Sequence, residues 1–170
     1  MTNSISTPPT HSPILRNYSP AFNLILAGLL FGNTLALHAA DSWTQEPAPS
    51  AKNFYDAAKN SLEANQWKPA LANLQKAAAL DPDNADIHNL LGYSYRKQGN
   101  LEEAFAHYEI ALRLNPGHLG AHEYVGETYL LAKDLVNAEN HLATLESLCG
   151  KTCAQSRELA AAIEIYKNSR

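Results

Sequence analysis

The stretch CGKTC, residues 149–153, gathers the chain's two cysteines around a Gly-Lys-Thr. Four chemistries fit those residue types. Gly-Lys-Thr ends a phosphate-binding loop, but such a loop needs a glycine five residues earlier, after a strand. That place is Leu145, inside a helical pattern. Paired thiolates suit copper and other soft metals, with histidine as a nitrogen partner. His118 and His122 stand four apart, but about thirty residues upstream, and His122 shares a repeat position with His88 and Phe54, as packing residues do. A redox couple is usually CxxC beside a βαβ pattern, and the chain has CxxxC without one. The reading favoured by the residues is a structural disulfide between Cys149 and Cys153. Cys149 ends one helical pattern, Gly150 permits a turn, and Thr152 with Gln155 three later forms a capping pair for the next. The closed loop is short, worth about 2 kcal/mol in chain entropy.

No other constellation assembles a reaction. The sequence lacks a Ser–His–Asp set in motif context, a glycine-rich phosphate loop and a His/Glu zinc signature. It therefore predicts a protein that is not an enzyme and carries no cofactor or metal. Of 170 residues, 13 are Lys or Arg and 17 are Asp or Glu, a net charge of −4. A nucleic-acid partner calls for a basic surface, so none is expected.

The elements that position CGKTC repeat. Windows 51–84, 85–118 and 119–152 align without a gap over 34 residues each. Ala58, Gly92 and Gly126 share a column, as do Ser61, Tyr95 and Tyr129. Ala70, Ala104 and Ala138 form a third column, and Leu74, Tyr108 and Leu142 a fourth. Pro82 and Pro116 close the first two copies. Within the middle copy His88, Leu91, Gly92 and Tyr95 lie on one helical face. Gly99 and Asn100 break the pattern, and Asn100 with Glu103 marks a new helix start. Ala104, Tyr108 and Ala111 make the inner stripe of that second helix. Each copy is thus a helical hairpin, and one hairpin cannot bury its apolar face alone. Residues 153–170 add an amphipathic segment, with Leu159, Ala162, Ile163 and Tyr166 inward and Arg157, Glu158, Glu164 and Lys167 outward.

At Leu91, Gly92, Tyr95, Ala104, Tyr108, Ala111 and Pro116 the sequence resembles the tetratricopeptide repeat family. The resemblance covers 51–152, about 60% of the chain. It implies an all-α superhelix of three stacked hairpins, with 153–170 as a seventh, capping helix. It also implies that first helices line a concave groove. Three columns then face the groove: Tyr55, Asn89 and Glu123; Lys59, Tyr93 and Glu127; Leu62, Arg96 and Leu130. These suit a protein or extended peptide partner, with Asn89 on its backbone, Tyr93 for area and Arg96 for a carboxylate. The family's clamp for C-terminal carboxylates has Lys and Asn at the first two of these places in the first repeat. This chain has Tyr55 and Lys59 there, so that ligand is not implied.

Residues 1–40 contain no Asp or Glu and one basic residue, Arg16, ahead of an apolar run at 21–37. Small residues follow, in HAAD. This pattern predicts a secretory signal cleaved near Ala39 or Ala40, then a proline-bearing linker at 41–50. The run is shorter than the roughly 20 residues of a spanning helix, so no membrane association is expected after cleavage. The sequence therefore predicts an exported, periplasmic or secreted scaffold that binds a protein in its groove. The alternatives are a thiol-redox or copper protein built on CxxxC, and a membrane-associated assembly factor of an envelope complex.

Overall fold

The computed structural model describes residues 48–169. The expected signal segment 1–40, and most of the linker 41–50, lie outside them. Seven helices make up the described residues: α1 Ala51–Glu63, α2 Trp67–Leu80, α3 Ala85–Lys97, α4 Leu101–Leu114, α5 Leu119–Leu131, α6 Leu135–Cys149 and α7 Ala154–Asn168. None is long and apolar enough to cross a membrane.

The helix starts are local chemistry. Ser50 caps α1 in a reciprocal box with Asn53. Asn84 accepts from the Asp86 and Ile87 amides at the head of α3, and Arg96 and Lys97 oppose the dipole at its end. The cap expected at Asn100 differs: Asn100 precedes α4 but its side chain makes no capping bond. The box expected at Thr152 and Gln155 is absent as well. The residue before α7 is Cys153, also without a side-chain cap bond. The turn that carries the disulfide places the helix start one residue past Thr152. The turns inside the three hairpins share one device, a left-handed residue at Asn65, Gly99 and Lys133, with φ 55°, 83° and 63°. These positions are 34 apart, and only the middle repeat uses the residue without a Cβ penalty.

Helices pack as hairpins, α1 on α2, α3 on α4 and α5 on α6, and each hairpin leans on the next first helix. α3 also touches α5, and α5 touches α7, whereas α2, α4 and α6 make no comparable contact with one another. The layer of first helices is therefore the tighter, concave one. α7 packs as a further first helix would. The core is a chain of local clusters. One joins Ala58, Leu74, Ala77, Ile87 and Leu91; the next holds Ala104, Tyr108 and Val125; the last holds Leu130, Ala138, Leu145, Leu159 and Ile163. Gly92 faces the buried Tyr108 ring and Gly126 faces Leu159.

Candidate functional site: the concave face

The groove columns sit deeper than their spacing suggests. Asn89 is 6% exposed and Glu123 5%. The Arg96 side chain is 11% exposed and bonds Glu127 at 2.6 Å. Arg96 and Tyr93 were expected to stand free in the groove. Tyr93 is half-buried, and Arg96 is packed because its guanidinium spans from α3 to α5. Tyr55, Leu62 and Glu127 are half-buried and Lys59 is exposed, while Leu130 belongs to the last core cluster. Glu158 is exposed, as its place on the outer face of α7 predicts, yet it also reaches α5. It hydrogen-bonds Glu123, because α7 lies along α5.

Two of these residues hold an aromatic ladder that crosses the repeats. Trp67 meets Tyr93 edge-on at 6.0 Å, and Tyr93 meets Tyr124 at 4.9 Å. Lys97 sits 5.3 Å over Trp67 and 5.7 Å over Tyr93. Arg96 sits 5.3 Å over Tyr93 and 5.6 Å over Tyr124. Cation–π contacts of this kind fix the rings and the cations together. Sequence columns missed Trp67, Lys97 and Tyr124. Their signal was present as aromatic and basic residues beside the chosen columns, but nothing in the alignment joins a second-helix Trp67 to first-helix tyrosines.

Charge is adjusted by this packing. Burial pushes the Glu123 carboxyl up to about 8, helped by the hydrogen bond and charge of Glu158 and by Glu127, while Arg96 pulls the other way. Burial likewise raises Tyr124 to about 12, with Glu123 adding to it. Burial and the neighbouring carboxylates thus favour the protonated form of Glu123, which lets the two carboxyls hydrogen-bond. Asn89 Oδ1 and Arg96 Nε are buried and make no hydrogen bond within the described residues. One is an acceptor and the other a donor, both on α3.

The two cysteines of CGKTC stand at disulfide distance, with the Cα atoms of Cys149 and Cys153 5.9 Å apart. Ser156 of α7 lies with its hydroxyl 3.3 Å from the Cys153 sulfur. The histidines weighed as metal partners are used separately. His118 caps α5 by accepting from the Ala121 amide, and its Nε2 lies 3.0 Å from Asp86. His122 pairs with His141 instead. Among the described residues no group of three or more His, Cys, Asp or Glu is placed to hold a metal.

A solenoid of helical hairpins with a lined inner face is a repeat scaffold, and the sequence comparison gives it a family. The tetratricopeptide repeat profile matches residues 55–118 and 95–146, more than half of the chain. The chain belongs to that family. It is 33% identical over 89 residues to the chloroplastic tetratricopeptide repeat domain-containing protein PYG7 of Arabidopsis thaliana, covering 52% of this chain and 27% of that protein. It is 34% identical over 84 residues to an uncharacterized protein of Haemophilus influenzae, covering 49% of this chain and 46% of that one. The chain thus spans less than half the length of these relatives. Among solved structures, the first repeat domain of Spaghetti (RPAP3) bound to the HSP90 peptide SRMEEVD superimposes with a TM-score of 0.62 at 15% identity. The match covers 69% of this chain and 96% of that one. The Yersinia enterocolitica type III secretion chaperone SycD, in complex with a peptide of the translocator YopD, gives 0.62 at 18% identity, covering 69% and 92%. These likenesses establish the fold.

Proposed function

We propose that the chain is a non-catalytic scaffold that holds an extended segment of a partner protein along its concave face. The observation that carries this reading is the pair of unmade bonds at Asn89 Oδ1 and Arg96 Nε. A buried polar atom left without a partner costs about 1–3 kcal/mol. A peptide backbone offers an N–H and a C=O, the complements of that acceptor and that donor. The ladder of Trp67, Tyr93 and Tyr124 alongside supplies rigid area at low entropy cost. Similar domains bound to HSP90 and YopD peptides support the same use of the fold. We infer further that the chain is exported, from the apolar run at 21–37 and from the disulfide, which suits an oxidising compartment.

A photo-cross-linking residue at the exposed groove position Lys59 should capture a protein partner in the native host. The same residue at Glu103, on the exposed face of α4, should not. Tyr93→Ala, shown by circular dichroism to keep its helices, should abolish capture from position 59. Equal capture from both positions, or capture that survives Tyr93→Ala, would remove the groove from the account. N-terminal sequencing of the captured chain reads the export proposal independently: a start near residue 40 supports it and an intact Met1 opposes it.

A further inference from the structure

The second and third repeats share a device that the first lacks, a buried first-helix histidine against a half-buried second-helix one. His88 on α3 and His107 on α4 face each other with Nδ1 atoms 3.1 Å apart, and His88 Nε2 lies 2.9 Å from the Pro82 carbonyl. One repeat on, His122 of α5 and His141 of α6 do the same at 2.9 Å, with His122 Nε2 2.9 Å from the Pro116 carbonyl. Tyr95 stacks on His107 at 5.4 Å and Tyr129 on His141 at 5.7 Å. The columns are Pro82 and Pro116, His88 and His122, Tyr95 and Tyr129, His107 and His141. In the first repeat Phe54 and Asn73 stand in the two histidine columns, so that hairpin has no such pair.

The geometry dictates the protons. A carbonyl only accepts, so His88 and His122 must carry hydrogen on Nε2. Their Nδ1 atoms are then acceptors, and His107 and His141 must donate from Nδ1. Each dyad is a relay from second helix to first helix to the preceding loop. One added proton does not break it: an imidazolium on either ring still donates across the gap to a neutral partner. A second proton leaves two imidazolium N–H groups facing each other about 3 Å apart, with no acceptor between them.

We propose that the two dyads form an acid lock on the second and third repeats, holding each hairpin closed at zero or one added proton and opening it at the second. Burial and then the partner histidine lower the second ring in each pair, His141 to about 4 and His107 in the same direction. Because the unfolded histidine value is higher, the unfolded chain binds more protons between the two values. Stability contributed by the His122–His141 dyad is therefore present above the usual histidine range and lost as pH falls through about 4, and that of the His88–His107 dyad is lost in the same direction. Other groups around the first dyad are Tyr95 of α3, which also receives a bond from Gln75 of α2, and Asp81 in the loop beside Pro82. Around the second are Tyr129 of α5 and, across a cleft of ≈ 670 Å³ that His141 also lines, Glu109 and Arg113 of α4. Opening would release whatever the groove holds; that consequence rests on the groove reading above, whereas the lock itself does not.

The test uses the protein without any ligand. Nitrogen-15 NMR of histidine at neutral pH should find His107 and His141 protonated on Nδ1 and His88 and His122 on Nε2. Hydrogen exchange measured down through pH 4 should show amides of α3 to α6 losing protection before those of α1 and α2. In His107→Gln with His141→Gln, each glutamine amide still donates to its histidine but takes no proton. The acid midpoint of α3 to α6 should move down by about one pH unit in that variant. Nε2–H tautomers at His107 and His141, or α3 to α6 opening at the same pH in both proteins, would overturn the proposal. The tautomer reading stands on the unaltered protein, so a variant that misfolds does not rescue it.

Discussion

Gly92→Ala decides how closely the two helices of the middle hairpin touch, because two opposed effects set its sign. At a solvent-facing helix position the change would stabilise by about 1 kcal/mol, the helix-propensity gap between the residues. Here the added Cβ would stand 2.6 Å from Tyr108 Cε1, 2.7 Å from Cδ1 and 2.9 Å from Cζ. Carbon pairs settle at about 3.5–4.0 Å, so the ring must retreat by about 1 Å. It has nowhere to go: Tyr108 is fully buried, in a cluster with Ala104 and Val125. The hairpin must open instead, at about 2–3 kcal/mol of overpacking. The net expectation is a loss of about 1–2 kcal/mol once the propensity gain is subtracted. Gly126→Ala is the internal comparison. Its Cβ would meet Leu159 Cδ2 at 2.6 Å, but the branched end of a leucine re-orients more readily than a fixed aromatic ring, so the loss should be smaller. Urea unfolding followed by far-ultraviolet circular dichroism reads both as changes in midpoint at constant slope. A Gly92→Ala protein as stable as its parent, or more so, would mean that the hairpin is not in close contact at this column.

Two further outcomes follow from the α7 end. Cys149→Ser should lower stability by about 2 kcal/mol in oxidising buffer, the worth of its short loop, and change little under reduction; equal loss in both buffers would assign the effect to packing. Glu123, raised to about 8 in the folded chain, binds more protons there than in the unfolded chain between its ordinary value of 4.5 and 8, so its contribution falls as pH rises through that window. Glu123→Gln should keep a hydrogen bond to Glu158 and remove that decline, which melting curves at pH 5 and pH 9 compare directly.

The 34-residue period carried most of the fold, because in a solenoid each contact is made with the neighbouring copy and recurs in the same column. Gly92 against Tyr108 was readable for that reason: both residues belong to the hairpin that repeats. The site was less readable. A column shows which residues share a face, but not how near the next helix comes. Asn89 and Arg96 are buried because α5 leans on α3, and Glu123 is buried because α7 takes the place of a further first helix. No arithmetic within 51–152 contains α7. Caps failed for a related reason. Asn100 and Thr152 have the right neighbours, but the turn before each helix sets the backbone, and at Thr152 that turn is governed by a disulfide.

The histidines show the opposite failure, a signal that was present and undervalued. His88 with His122 was noted as a column, and taken as packing. His107 with His141 recurs at the same spacing, and so do the prolines and tyrosines around them. Four matched columns exceed what packing alone requires, since Phe54 serves at the same place in the first repeat. What the linear pattern could not supply was the direction of each bond. That comes from the Pro82 and Pro116 carbonyls, which accept only, and so settle the hydrogen on all four rings. Two copies of a side chain at one repeat spacing argue for a shared role. Two copies of a whole proton relay argue that its protonation state is what the repeats keep in common.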